Sequence, residues 1–237
     1  DQIRRAKELN VAEAVAGGLR LASRIDIEVS PEMASEISRC HSSYSTARDD
    51  VDIAALVFRP WGKGRIKQCG VSPDAFTYEA ASSRFYRDSR TETLRSVTDE
   101  SCDFVRAMVD PSSDRETRAD LLKKAAALHG THNRECMGTG TSSPFLNHYI
   151  QQEWLLSTSH VPNVTNTMKE DKIPNFSWIG ACFGAVAKKG YGVCYRFAGN
   201  HSICAHISSF HSSENTDSSR FREHLSTAFY EISALFD

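Results

Sequence analysis

The sequence predicts an α/β protein with a mixed sheet and flanking helices, and three observations carry that expectation. Strand-sized apolar runs at 53–58, 178–187, 191–197 and 202–210 are bounded by turn residues such as Gly190 and Gly199-Asn200. Other segments space their apolar residues three and four apart, and several open on a capping hydroxyl. No repeat, coiled coil or low-complexity tract is present, and 237 residues, 40% of them hydrophobic, suffice for a buried core.

Taken in order, residues 2–22 read as a helix that Gly17-Gly18 can break. Ser30-Pro31-Glu32 starts the next helix with a hydroxyl cap and a proline whose missing N–H costs nothing in the first turn. Met33, Ile37, Cys40 and Tyr44 follow on one face. Residues 52–58 read as a buried strand ending in the turn-like Arg59-Pro60-Trp61-Gly62, which leads into a basic loop. Ser72-Pro73-Asp74 repeats the capped start, and Thr98-Asp99-Glu100 opens a short helix with Phe104, Val105 and Met108 on its apolar side. A more charged helix spans 114–129, Gly138-Thr139-Gly140-Thr141-Ser142-Ser143-Pro144 reads as a flexible connector, and 155–159 as a strand end. The last helix starts near Asp217 with Phe221, Leu225, Phe229, Ile232 and Phe236 as its stripe, and the serine-rich 208–219 reads as a polar loop.

Composition removes several classes of function. A net charge of -2 argues against a dedicated nucleic-acid binder, and no apolar stretch approaches the roughly 20 residues that cross a bilayer. The chain opens on Asp1 with neither an initiator Met nor a secretory signal, which fits a fragment. Seven cysteines (Cys40, Cys69, Cys102, Cys136, Cys182, Cys194 and Cys204) are widely spaced without a C-x-x-C. Buried free thiols in a reducing compartment are therefore expected, rather than a disulfide scaffold or a zinc ribbon.

Arg59, Lys63, Arg65 and Lys67 form a cation run without one acid, and Gly62 and Gly64 let its backbone come close to a ligand. Such a run either cradles a phosphate or is a solvated face. Arg90-Thr91-Glu92-Thr93-Leu94-Arg95-Ser96 reads as a helix C-terminus whose arginines meet the dipole. By composition, Ser157-Thr158-Ser159 is turn chemistry. None of the nine histidines has an acid four residues later, and neither G-x-S-x-G nor H-E-x-x-H occurs, so no metal site is expected.

Together these segments resemble the C-terminal half of the carnitine/choline acyltransferase family, most closely its carnitine palmitoyltransferase 1 type. The matching runs are Gly62-Lys63-Gly64-Arg65-Ile66-Lys67, Ser72-Pro73-Asp74-Ala75-Phe76 and Thr77-Tyr78-Glu79-Ala80, followed by 90–96 and 100–111. Leu156-Ser157-Thr158-Ser159, Gly190-Tyr191-Gly192-Val193 and His206-Ile207-Ser208-Ser209 complete them. The resemblance runs from about residue 20 to 237. It implies a partial chloramphenicol-acetyltransferase-like domain and transfer of a long-chain acyl group between coenzyme A and carnitine. Acyl-CoA and carnitine would be the partners, with coenzyme A acting as substrate and no permanently bound cofactor. It further implies that Gly62, Lys63, Lys67, Ser72 and Asp74 bind coenzyme A, and that Tyr78, Thr91, Ser157 and Phe183 bind carnitine. Within these sets the lysines would hold phosphates, Asp74 would lie near the adenine, and Phe183 would lie under the trimethylammonium group. Ser159 would stabilise the oxyanion, and the small Ala181 would leave an acyl tunnel open. Members of this type sit on the cytosolic face of the mitochondrial outer membrane, through spans that this sequence does not show.

Three departures stand out. The family's general-base histidine lies in an H-x-x-x-D motif upstream of the lysine run, where this sequence has only His41. Whole segments are missing between Phe76 and Thr77 and between Thr141 and Ser142, the second of which would carry an Asp-Arg-His-Leu motif. Without a base, proton removal loses about 10²–10⁴-fold in rate, so this chain alone is expected to be inactive. The alternative is a non-catalytic coenzyme A-binding pseudoenzyme or regulatory module that pairs with a complete acyltransferase.

Overall fold

The computed structural model describes residues 27–73, 96–139, 153–161 and 181–237. The chain divides into two compact units, 1–47 and 48–237. Helix α1 (Pro31–Asp49), all but its last two residues in the first unit, is capped as the sequence predicts, with the Met33 N–H donating to the Ser30 hydroxyl at 3.3 Å. Its expected apolar face is not core: Met33, Ile37 and Tyr44 are exposed, and no residue of α1 is buried.

The second unit contains β1 (Val51–Phe58), α2 (Lys63–Gln68), α3 (Asp99–Val109), α4 (Arg115–Thr139), β2 (Leu156–His160), β3 (Tyr191–Ala198), β4 (Ser202–Phe210) and α5 (Ser218–Ala234). The strands form one mixed sheet in the order β1-β4-β3-β2, with β4 antiparallel to both neighbours and β2 parallel to β3. This bears out the α/β architecture with a mixed sheet and flanking helices. Gly199, with a positive φ of 66°, turns β3 into β4.

Four local expectations change. The basic loop is the short helix α2. Residues 181–187 form no strand, because this segment lies against the sheet rather than in it. Helix α4 runs ten residues beyond 129 and through Gly130 and Gly138, since each glycine costs a helix only about 1 kcal/mol. Ser208 and Ser209 belong to β4 and are buried, so only the later part of 208–219 is loop. The expected helix over 2–22, the capped segment beyond Pro73 and the connector beyond residue 139 lie outside the described residues.

Helix α5 covers one face of the sheet. Val193, Tyr195, Ala205 and Ile207 pack with Phe221 and Leu225, and Phe58, Ile66, Phe197, Ile203 and Phe229 form the adjoining cluster. On the flank, α3 opens with a Thr98–Ser101 capping box. Arg118 of α4 donates to the carbonyls of Ala107 (3.0 Å) and Asp110 (2.7 Å), which terminates α3 against α4. Among the described cysteines all six are free thiols, and only Cys194 and Cys204 are buried, so the expectation of buried thiols holds for those two alone.

Asp52 ties β1, β4 and α5 together. Its carboxylate accepts from the Ser218 N–H (2.9 Å) and the Ser209 hydroxyl (3.2 Å), and the Ser209 and Ser218 hydroxyls stand 2.8 Å apart. Burial pushes the Asp52 carboxyl up, but the Ser218 and Ser209 donors outweigh it and hold the group below the usual carboxylate range. A lowered folded pKa stabilises the fold above the unfolded value and is lost as pH falls through the folded one. Asp52→Asn is therefore expected to cost about 1–2 kcal/mol at pH 7 and less at acid pH, where the wild-type carboxyl is protonated too. Urea titrations at both pH values check this, and a constant difference would count against it.

Candidate functional site

The hydroxyl motif Ser157-Thr158-Ser159 is not a turn but lies within β2. Side chains alternate across a strand, so Thr158 joins Leu156 on the α5 side while Ser157 and Ser159 point to the opposite face. The parallel register sets Ser157 beside Gly192 and Ser159 beside Cys194 of β3. The β3–β4 register then continues both rows, Gly192 to Ser208 and Cys194 to His206. One face thus carries two cross-strand rows, Ser157–Gly192–Ser208 and Ser159–Cys194–His206.

Phe183 comes to the first row from outside the sheet. The Ser208 hydroxyl, which is fully buried, donates to the Phe183 carbonyl at 2.6 Å and lies 3.3 Å from the Gly192 carbonyl. The Phe183 ring covers Gly192 so closely that a β-carbon there would lie 2.9 Å from its Cε2 and 2.7 Å from Ser208 Oγ. Glycine is needed at 192 because the ring occupies that space. The Cys182 thiol donates toward the same carbonyl at 3.6 Å. Ala181, expected to line an acyl tunnel, is exposed two residues before Phe183.

The electrostatics favour neutral groups. Burial pushes the Cys194 thiol up, and partial desolvation does the same for the otherwise exposed Cys182, so neither is a ready thiolate. Burial, then the Arg196 charge, pushes His206 below its usual range and keeps it a neutral imidazole at pH 7. Two strand spacings of about 4.8 Å, with Cys194 between, separate His206 from Ser159. His160 lies on the other face, against the rings of Tyr195 (5.5 Å) and Phe197 (6.3 Å). Neither histidine is placed to activate Ser159. The face can donate hydrogen bonds and take a cation against an aromatic ring, but it offers no charged nucleophile.

Gly62, Lys63 and Lys67 stand at the other end of the hairpin. The Gly64 N–H donates to the Asn200 carbonyl at 3.1 Å, and a β-carbon on Gly62 would lie 2.5 Å from the Ser202 nitrogen. These glycines let α2 approach the β3–β4 turn closely. Arg65 also leaves the basic set: its guanidinium donates to the Ser233 hydroxyl and carbonyl at 3.4 Å and pairs with Asp237. Lys67 is exposed and Lys63 half-buried, and Ser72 is exposed beyond the helix. Asp74, Tyr78 and Thr91 lie outside the described residues.

Ser208 and Cys194 received no role from the sequence. The signal was present in β4, where polar residues fall on both faces of a strand whose neighbours are buried. Under α5, Leu156, Thr158, Tyr195 and Leu225 help line an apolar cavity of about 190 Å³. Among the described residues no helix is long and apolar enough to cross a membrane.

The choline/carnitine O-acyltransferase family profile matches residues 2–227. The human carnitine O-palmitoyltransferase 1 muscle isoform is 38% identical over 234 residues, covering 82% of this chain and 30% of the relative. The human liver isoform is 37% identical over 250 residues, covering 90% of this chain and 32% of the relative. Carnitine O-acetyltransferase of Columba livia is 29% identical over 244 residues, covering 92% and 39%. This chain spans about 30% of the length of the first of these relatives.

The contact between Ser208 and the Phe183 carbonyl fixes where the ring stands. Ser208→Ala is expected to cost about 1–2 kcal/mol and to speed amide exchange across 182–187 while 193–197 stays protected. Hydrogen-exchange mass spectrometry reads this, and unchanged exchange at 182–187 would show that Ser208 does not hold the segment.

Proposed function

Because this chain belongs to the choline/carnitine O-acyltransferase family, we propose that it carries the coenzyme A and carnitine half-sites of a palmitoyltransferase-like carnitine O-acyltransferase. The parent reaction moves a long-chain acyl group between the thiol of coenzyme A and the hydroxyl of carnitine. One observation carries the reading: Ser157 and Phe183 converge on Gly192, with Ser159 in the next row of the same face. A trimethylammonium group against the Phe183 ring gains a cation–π contact, with Ser157 beside it. Tyr78 and Thr91 complete this carnitine half. Ser159, without a base of its own, acts by donating to the oxyanion of the tetrahedral intermediate. Ala181 leaves room for the acyl chain.

Lys63 and Lys67 hold coenzyme A phosphates, with Gly62, Ser72 and Asp74 around them. The spacing supports this division of labour. Ala198 is six residue steps along β3 from Gly192, so the turn that anchors α2 lies about 20 Å from the Ser157 row. A ligand joining the two must be extended and carry its phosphate far from its reacting thioester, as acyl-CoA does.

The step this chain does not supply is proton removal from the carnitine hydroxyl, since no histidine in it has an acid four residues later. That observation favours a second reading, a coenzyme A-binding partner of a complete acyltransferase without turnover of its own. The mitochondrial outer membrane, facing the cytosol, is the proposed location for either.

A thiol-release assay with palmitoyl-CoA and carnitine is expected to show no turnover by this chain alone, and measurable turnover would refute the assignment of the missing base. Calorimetry is expected to show coenzyme A binding that weakens about tenfold in the Lys63→Ala, Lys67→Ala double variant. Binding that ignores both lysines would remove them from the site.

A further inference from the structure

We infer that Cys182 and Cys194 form an oxidation site, a thiol pair that hydrogen peroxide closes into a disulfide between the Phe183 segment and β3. The sheet assembles the pair. Side chains on one face of β3 recur at every second residue, so Cys194 stands next to Gly192, about 7 Å along the strand. The Phe183 carbonyl comes down on that face, 3.1 Å from where a β-carbon on Gly192 would lie and 2.6 Å from the Ser208 hydroxyl. The Cys182 thiol turns to this same oxygen at 3.6 Å, and the Cys194 thiol hydrogen-bonds to it from the strand. Two donors on one oxygen stand within about two hydrogen-bond lengths of each other. Rotation of the exposed Cys182 side chain closes that gap, and its segment, which has no strand partner over 181–187, is free to follow.

The two thiols differ in the way a two-step oxidation needs. Cys182 is exposed and meets a small oxidant first, while Cys194 is buried and acts second. The Cys182 thiolate attacks one oxygen of the peroxide. The O–O bond breaks, hydroxide leaves and takes up a proton, and Cys182 is left as a sulfenic acid. Cys194 then gives up its proton and attacks that sulfur, the S–O bond breaks, and a second water leaves. Two S–H bonds are exchanged for one S–S bond, and the two electrons reduce the peroxide to two waters. Because desolvation pushes both thiols up, the reaction is slow at neutral pH and quickens as pH rises. The product pins residues 181–187 to β3, with the Phe183 ring fixed over Gly192. Nothing in this sequence of steps depends on which ligand the Phe183 ring receives.

The test is peptide mapping by mass spectrometry on the full chain treated with hydrogen peroxide, before and after reduction by dithiothreitol. The expected product is a single chain, short of two hydrogens, in which the Cys182 and Cys194 peptides are joined until the reductant parts them. Cys182→Ser is expected to abolish the bond. Cys194→Ser should leave a sulfenic acid at Cys182 that dimedone traps, and Cys40→Ser, at an exposed thiol of α1, should change neither result. Bond formation should quicken about tenfold per pH unit between about pH 7 and pH 8.5. Hydrogen exchange over 182–187 should slow several-fold in the oxidised chain and recover on reduction. Peroxide that leaves the two cysteines unlinked, or that joins Cys182 to another cysteine or another chain, would overturn the site. A bond that forms without slowing exchange over 182–187 would overturn the pinning of that segment, and a rate indifferent to pH would overturn attack by the thiolate.

Discussion

The β3–β4 hairpin is the constraint on which the rest of the second unit depends. β4 is hydrogen-bonded on both edges, and its Ile207 and Ser208 have no exposure. A slip of one residue would turn Ile203, Ala205 and Ile207 toward the polar face and place Cys204, His206 and Ser208 under α5. That exchange would unpair buried hydroxyls and remove the apolar surface that Phe221 and Leu225 cover, so the register is held from both sides. Each end of the hairpin then does separate work. Its turn receives α2 through Asn200 and Ser202, and its open end receives β2 and the Phe183 segment through Gly192 and Ser208.

Close approach explains why glycine stands near both ends of the hairpin. At Gly62 the obstacle to a side chain is the Ser202 backbone, and at Gly192 it is the Phe183 ring. Both positions are packing requirements in the fold. Arg65 makes the same point among the cations. It sits between two lysines in the chain, yet its guanidinium closes the end of α5 onto α2. Arg59 and the two lysines of this run then remain for a ligand, because Arg65 is committed to structure.

Much of the fold is legible in the sequence because the local signals agree. The hydroxyl and acid caps at Ser30, Thr98 and Asp217 mark real helix starts, and the turn residues Gly199-Asn200 mark the hairpin. The failures share a cause in tertiary contact. Residues 181–187 have strand composition, but Ser208 captures the Phe183 carbonyl and holds the segment against the sheet. Local signals place the end of α4 too early, because glycines at 130 and 138 look like interruptions. The helix bears that modest cost and packs Ala119 and Leu122 against Leu235. Ser157, Phe183 and Ser159 are legible only as a family pattern, since nothing in a single strand tells which residue of a distant segment will lie over it.

The chemistry of the Ser157–Ser159 face also follows from its burial. Thiols pushed up and an imidazole pushed down leave donors that carry no charge at neutral pH. In a site of low dielectric, fixed neutral donors interact strongly with charge that develops later and cost little while none is present. A face built this way is better suited to receive a negative oxygen than to create a nucleophile. Proton removal would instead need a base whose pKa is free to approach neutrality, outside the field of Arg196 and the burial that keeps His206 neutral. For the proposed reaction this places base and oxyanion donor on different structural elements.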